Sequence, residues 1–326
     1  MTVATAYHIP ALLRESVDGL NLREDGVYVD VTFGGGGHSR AILSRLPAGA
    51  RLFSMDKDAD AAAVAGDLSD ASGERFTFIR SDFRYLKNWM RYYGVSGVHG
   101  LIADLGVSGH QLDERARGFS FRTDAPLDMR MNTGSKISAA TVVNDYPENA
   151  LADILYHYGE LRGSRRIAAA IVQAREKKRI ATTGDLCATV APLLPFARGK
   201  KDMARVFQAL RIEVNGEMGA LRSLLDAAAA LLVPGGRLCV IAYHSLEDRM
   251  VKNMIRTGNV DGHEERDPLT GRRRDGMTAD NRPSAVATGG SAPFRAVNGR
   301  VIVPTDEERK RNSRCRSARL RIAERI

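Results

Sequence analysis

The residues with the clearest chemical meaning lie in Tyr28-Val29-Asp30-Val31-Thr32-Phe33-Gly34-Gly35-Gly36-Gly37-His38, where an apolar, β-branched run meets an acid and then four glycines. Ser39 to Leu46 continues as the start of a helix. Strand, glycine turn and helix in that order bring backbone close to a nucleotide-like ligand. Glycine is needed because a Cβ would block the approach and because such turns use φ > 0. A second acid, Asp56, closes the next apolar run, Leu52-Phe53-Ser54-Met55, at the separation where a carboxylate binds ribose hydroxyls. The dinucleotide pattern G-x-G-x-x-G is not met, because Gly35-x-Gly37-x-x leads to Arg40. A pyrophosphate also wants free amides with no acid beside them, whereas Asp30, just before the glycines, suits an amino-acid ammonium. The pattern favours S-adenosylmethionine, which has a ribose, an adenine and a zwitterionic tail but no phosphate. The plainer alternative is a structural glycine turn.

Two further groups extend the site. Asp104 opens Asp104-Leu105-Gly106-Val107-Ser108 after the fourth apolar run. An exocyclic base amine has its lone pair delocalised into the ring, and a carboxylate accepting its N–H helps the nitrogen become tetrahedral for in-line attack on a methyl group. The plain alternative for Asp104 is a turn or helix cap. His244 opens His244-Ser245-Leu246-Glu247-Asp248 after the fifth run, where it is expected to face the same crevice, with Ser245 and Asp248 as a capping box behind it. Methylation at a pyrimidine C5 would need a cysteine nucleophile. The cysteines are Cys187, Cys239 and Cys315, none near the ends of the fourth or fifth runs, which argues for direct transfer. Phe119, Phe121, Asp128 and Arg130 lie in an irregular stretch, where aromatics beside arginine could stack on a flipped base or anchor a loop on the core.

These groups need a scaffold. Val27–Val31, Leu52–Met55, Phe76–Ile79 and Val98–Ala103 are short apolar runs, each at or just before an acid (Asp30, Asp56, Asp82, Asp104), separated by helical stretches. That alternation predicts an α/β fold with a parallel sheet and a ligand beyond the carboxyl ends of the strands, where four acids would face one crevice. After Asp104 the pattern becomes helical, over Pro147–Tyr158, Gly163–Lys178, Thr183–Ala191 and Met203–Val214. The expected domains are 1–112, an inserted helical domain over 113–211, and a return to the first domain over 212–326. In that last part Pro234-Gly235-Gly236 stops a helix, Arg237 to Tyr243 forms the fifth strand, 257–292 is a mobile loop, and Val301–Val303 pairs with Ala318–Ile322.

Composition narrows the partners. The 326 residues are 44% hydrophobic and 27% charged, with no apolar run long enough to span a membrane and no secretory leader pattern. Three scattered cysteines suggest neither a disulfide framework nor a metal site and fit a reducing cytoplasm. The net charge of +9 is uneven: residues 162–211 hold 12 Lys/Arg against 3 Asp/Glu, and residues 256–326 hold 16 against 10, which leaves the remainder acidic. A basic arm and tail on an acidic core suggest a nucleic acid partner. Monomer and homodimer are equally compatible with the sequence.

The chain resembles the bacterial ribosomal RNA small-subunit methyltransferase H family, on stretches in the family's order from His8 to Arg325. They are HIPALLRESVDGL, TFGGGGHSR, DLGVS, RGFSFR with PLDMRM, FQALRIEVN, PGGRLCVIAYHSLEDRMVK and RSARLRIAER. The resemblance implies a Rossmann-like S-adenosylmethionine-dependent methyltransferase sheet with an inserted, mainly helical substrate-recognition domain. It implies methyl transfer to the N4 amine of one cytosine in the decoding region of 16S rRNA. It carries cofactor roles to Gly36, Gly37 and His38, to Asp56 for the ribose, to Phe83 beside the adenine, and to Asp104 and Gln111. Catalysis would fall to Asp104, holding the amine, and His244, assisting proton loss. On the RNA side stand Phe121, Asp128 and Arg130, with Arg165, Arg166, Arg175, Lys177, Lys178, Lys200, Lys201 and Arg205 for phosphates, and Arg211 and Asn215 in FQALRIEVN. Two stretches depart from the family: Ser108-Gly109-His110-Gln111 replaces Ser-Ser-Pro-Gln, which loosens that loop, and Ala204-Arg205-Val206-Phe207 replaces Thr-Arg-Thr-Phe, with an expected change in an RNA contact.

Overall fold

The computed structural model describes residues 10–263 and 292–326. His8 and Ile9 of the first matched stretch, and residues 264–291 of the expected loop, lie outside the described residues. The chain opens with α1 (Leu13–Gly19), β1 (Val27–Asp30), α2 (Gly37–Arg45), β2 (Arg51–Asp56), α3 (Ala59–Ser72), β3 (Phe76–Arg80), α4 (Leu86–Tyr92) and β4 (Val98–Asp104). Helices follow: α5 (Gly109–Asp113), α6 (Ala139–Asp145), α7 (Glu148–His157), α8 (Ser164–Lys177), α9 (Thr183–Val190) and α10 (Gly199–Asn215). The last part is α11 (Glu217–Leu231), β5 (Leu232–Ala242), α12 (Ser245–Thr257), β6 (Phe294–Ala296), α13 (Asp306–Arg311) and β7 (Arg319–Arg325). Two compact units result, one from residues 1–106 with 219–326, the other from 107–218.

The first unit is a seven-stranded sheet in the order β3-β2-β1-β4-β5-β7-β6. β1 pairs in parallel with both β2 and β4, and β4 with β5, whereas β7 runs antiparallel to β5 and to β6. The strand order therefore reverses between β1 and β4, and such a switch point leaves a crevice at the carboxyl ends. Alternation along the strands sorts side chains between two cores. Val29, Leu101, Ala103, Leu238 and Val240 pack with Leu224 and Leu225 of α11 and Val251 and Met254 of α12. Tyr28, Leu52, Ile102, Cys239 and Ile241 pack with Val17 of α1, Ile42 of α2 and Ala65 of α3. With both faces covered, the strands read as nearly unbroken apolar runs.

Two expectations are corrected. The helix before Pro234 ends at Leu231, and Leu232 already pairs with Val98; the register shifts by Gly100, and Pro234-Gly235-Gly236, with Gly235 at φ +77°, forms an irregularity within β5. Of the expected partner for the last strand, Ile302 alone makes a bridge, with Leu320, and β6 takes the antiparallel place beside β7.

The second unit is built of helices around its own core, in which Leu151 and Leu155 of α7, Ile167 and Ile171 of α8, Leu186 of α9 and Val206, Phe207 and Leu210 of α10 are buried. Its short helices α5 and α6 carry too little apolar periodicity to be read from sequence. Each begins instead with a capping box, Ser108 with Gln111 and Ser138 with Thr141.

Candidate active site

The glycine turn is held from below by carboxylates. Gly34 and Gly36 adopt φ +52° and +76°, and a Cβ on Gly37 would collide with the Pro10 ring. Asp56, half-buried at the end of β2, accepts the Gly34 N–H through Oδ2 (2.8 Å) and the Asp58 N–H through Oδ1 (2.9 Å). Burial raises its pKa against those two hydrogen bonds. At the end of β1, Asp30 is 1% exposed. It accepts the Ser39 hydroxyl (2.6 Å) and the Thr32 N–H (3.1 Å), and burial pushes its carboxyl up to about 6. The ammonium role expected for Asp30 is therefore corrected: its oxygens face inward and brace the turn. Ser39, two residues beyond the glycines, also shares a hydrogen bond with Ser54 (2.8 Å), tying α2 to β2.

Asp104 ends β4 beside the same turn. Its N–H donates to Thr32 Oγ1 (2.6 Å), its Oδ1 accepts the Tyr243 hydroxyl (2.8 Å), and its side chain is 20% exposed. Burial pushes its carboxyl up to about 7, the Tyr243 hydrogen bond opposes that, and Asp30 and Glu247 add to it by repulsion. His38, in the first turn of α2, brings Nδ1 within 3.7 Å of Asp104 Oδ2. Burial lowers its pKa to about 4, so it is neutral, and its buried Nε2 has no hydrogen-bond partner. Tyr243 and Ser39 are contributors that motif reading missed. The signal for Tyr243 was a hydroxyl-bearing residue closing the apolar run of β5.

The capping box expected from Ser245 and Asp248 is corrected at His244. His244 is itself the N-cap of α12, with Glu247 rather than Asp248 as its capping partner. Glu247, fully buried, accepts the Tyr243 N–H (2.8 Å) and the His244 N–H (3.3 Å), and the His244 ring lies against it, Nε2 to Oε1 3.1 Å. Asp248 instead binds Arg321 of β7 (2.7 Å), joining α12 to the strand beside β5. Asp82, the fourth acid, caps a short turn, accepts the Arg84 N–H (2.9 Å) and faces Lys57 (3.6 Å), and Phe83 beside it packs on the sheet core. Cys239 lies within β5, wholly buried, its thiol pushed up to about 12 by burial, so it is no nucleophile.

The remaining expected residues belong to the helical unit. Gln111 is buried, and its Oε1 accepts the Ser108 N–H (3.1 Å) while its own N–H donates to Ser108 Oγ (3.1 Å), so this loop is braced without the proline. Phe121, partly buried, meets Phe207 edge to face with ring centres 5.5 Å apart and packs against the core of this unit. Arg130 grips Asp128 through Nε and Nη2 (2.9 and 2.7 Å) and donates to the Thr133 and Ser135 carbonyls (2.9 and 2.7 Å). Burial works against Asp128 ionising, yet the Arg130 bonds and the Arg117 charge hold its carboxyl below the usual range. Asn215 accepts the Met131 N–H (2.8 Å) and donates to the Met129 carbonyl (2.8 Å). Arg211 makes a two-bonded pair with Glu217 (2.9 and 2.8 Å). These four polar residues, expected on the RNA side, each have intramolecular partners that brace the unit. Val206 is buried in the core, so its departure from the family is a packing change. Arg165, Arg166, Lys177, Lys178, Lys200 and Lys201 are exposed and Arg205 half-buried, whereas Arg175 donates to the Val143 and Tyr146 carbonyls (2.9 and 2.7 Å).

A mixed, mainly parallel sheet with a glycine turn and acids at its switch point is the arrangement of a Rossmann-like methyltransferase. The family model described as the MraW methylase family matches residues 5–326, and the chain belongs to that family. A protein of Parabacteroides distasonis named ribosomal RNA small subunit methyltransferase H is 53% identical over 99% of this chain and 98% of its own length. One of the same name from Phocaeicola vulgatus is 54% identical over 98% and 97%. Among solved structures, an rRNA methylase from Streptococcus thermophilus covers 99% of both chains at 13% identity with a TM-score of 0.40, a likeness too distant to build on.

Proposed function

We propose that the protein transfers the methyl group of S-adenosylmethionine to the exocyclic N4 amine of a cytosine in the decoding region of small-subunit (16S) rRNA. The observation that carries this is Asp104, a partly exposed carboxylate fixed by Tyr243 at the switch point beside the glycine turn. Asp56 and Asp104 line one edge while Lys57 is turned to Asp82, a charge pattern that repels phosphate and suits a cationic ligand. Asp56 suits ribose hydroxyls with the acceptor positions left on its two oxygens, Phe83 offers an apolar face for adenine, and the orphaned Nε2 of His38 lies within the same cluster. Bound there, S-adenosylmethionine supplies an electrophilic methyl group on a sulfonium.

The chain's own residues then do three things. Gly36 and Gly37 keep the turn in shape where a Cβ would meet the Phe33 and Pro10 rings. Asp104, when ionised, accepts an N–H of the amine, which favours a tetrahedral nitrogen whose lone pair forms the new C–N bond as the C–S electron pair returns to sulfur. Tyr243 keeps one carboxylate oxygen occupied, so that the other is presented in a fixed direction. His244, laid on Glu247, supports this edge of the site and is the candidate to receive the proton leaving nitrogen. Exposed Arg165, Arg166, Lys177 and Lys178, with Arg205, contact RNA phosphates. Names of relatives ending in small-subunit rRNA methylation support the acceptor.

The test is methyl transfer from labelled S-adenosylmethionine to small ribosomal subunits from cells lacking the enzyme, followed by nucleoside mass spectrometry. Label in N4-methylcytidine is expected. Cofactor binding without label in subunits or free rRNA would overturn the reading.

A further inference from the structure

We propose that Phe196 is a base-stacking contact for single-stranded RNA, close to exposed cations of the helical unit; this rests on the RNA-acceptor reading above. Phe196 begins a short 3-10 turn, Phe196–Arg198, held by Pro195 on one side and the start of α10 on the other. Its ring is fully exposed, while nearby Leu193 and Leu194 pack against the core. An isolated phenyl ring left in water forgoes the gain of burial. Its surroundings point to what covers it. Arg198, Lys200 and Lys201 are exposed on the same turn and the first turn of α10. Arg166 donates from Nη2 to the Leu193 carbonyl (2.7 Å), which brings the cationic start of α8, with Arg162 and Arg165, against the segment that leads into Phe196. The acid of that α10 turn, Asp202, is buried and lies between Arg198 (4.0 Å) and Arg205 (3.4 Å). A flat exposed ring next to exposed cations fits a polyanion whose bases present flat faces. An apolar protein pocket would not call for the cations.

Binding of a labelled, mixed-sequence oligoribonucleotide of about 12 nucleotides to the full chain tests this directly. F196A should bind roughly tenfold more weakly with an unchanged salt dependence. F196W should keep the affinity, and its emission, read against the native Trp89, should be quenched on binding. K200A/K201A should flatten the salt slope by roughly one to two. Unchanged S-adenosylmethionine binding by F196A would show that the fold is intact. Wild-type affinity in F196A overturns the proposal. So does rescue by F196L as complete as that by F196W, or a loss of self-association in F196A with RNA binding intact. Wild-type methyl transfer to small subunits, measured alongside, reads the acceptor separately: no transfer with Phe196-dependent RNA binding would refute that reading and leave this one.

Discussion

The sheet edge and the helical unit use the same residue types to opposite ends. At the sheet edge, carboxylates and hydroxyls from β1, β2, β4 and β5 converge, and Asp104 keeps part of its surface open. In the helical unit, Arg130 binds Asp128 and loop carbonyls, Arg211 binds Glu217 and Asn215 binds loop backbone, and what stays open is the cations near the ends of α8 and the start of α10. At the strand ends Asp30, Asp56 and Asp82 also accept turn N–H groups, whereas the Asp104 carboxylate takes the Tyr243 hydroxyl and keeps part of its surface open. An irregular loop such as 117–131 has unpaired N–H and C=O groups that must find partners, and neighbouring polar side chains supply them.

Breaking the sheet edge should have the largest effect. D104N should lower turnover by about 10²–10⁴-fold with cofactor affinity nearly kept, in steady-state methyl transfer beside calorimetric binding. Near-normal turnover would remove Asp104 from the chemistry. Its pH dependence carries a sign. With the free-enzyme carboxyl at about 7, the ionised form that accepts an N–H grows as pH rises, so kcat/KM should climb through about pH 7 and level above it. Stability runs the other way, because a raised carboxyl favours the protonated native state. That contribution is whole below the ordinary value of 3.8 and is lost as pH rises through about 7. The wild type should lose about 1–3 kcal/mol over that range relative to D104N in denaturant titrations.

Breaking a brace in the helical unit should cost stability instead of chemistry. N215A leaves the Met131 N–H and Met129 carbonyl without their partners and should destabilise by roughly 1–3 kcal/mol, with the same KM for RNA once corrected for folded fraction. A raised KM at unchanged stability would return Asn215 to the RNA side. D56A should weaken S-adenosylmethionine binding by about 1.5–3 kcal/mol, and unchanged affinity would move the ribose site elsewhere. Y243F is the finer test. Losing the phenol donor should lower turnover roughly tenfold and move the acid limb to higher pH, since that hydrogen bond holds the Asp104 pKa down. A drop in stability with the limb unmoved would make Tyr243 structural. The smallest effect falls on single cations: R165A should change the salt slope of RNA binding by about one and leave turnover at saturation alone.

The sequence by itself determined the first four strands, the glycine turn, the helical segment that follows β4 and the acids at those strand ends. These depend on short-range physics: alternation of two along a strand, spacing of three and four along a helix, and the φ that glycine allows. It also placed the cations that remain exposed, because a charge run on a helix face needs no partner. Tertiary structure alone decided which polar side chains became site and which became scaffold. Tyr243 reaches Asp104 across 139 residues of chain, Asn215 reaches Met129 across 86, and Asp248 reaches Arg321 across 73. Such pairings exist only once the sheet closes β5 against β4 and β7, and once α10 lies along the loop before α6. No local pattern encodes them: a hydroxyl, amide or carboxylate takes whichever partner the folded chain brings within about 3 Å.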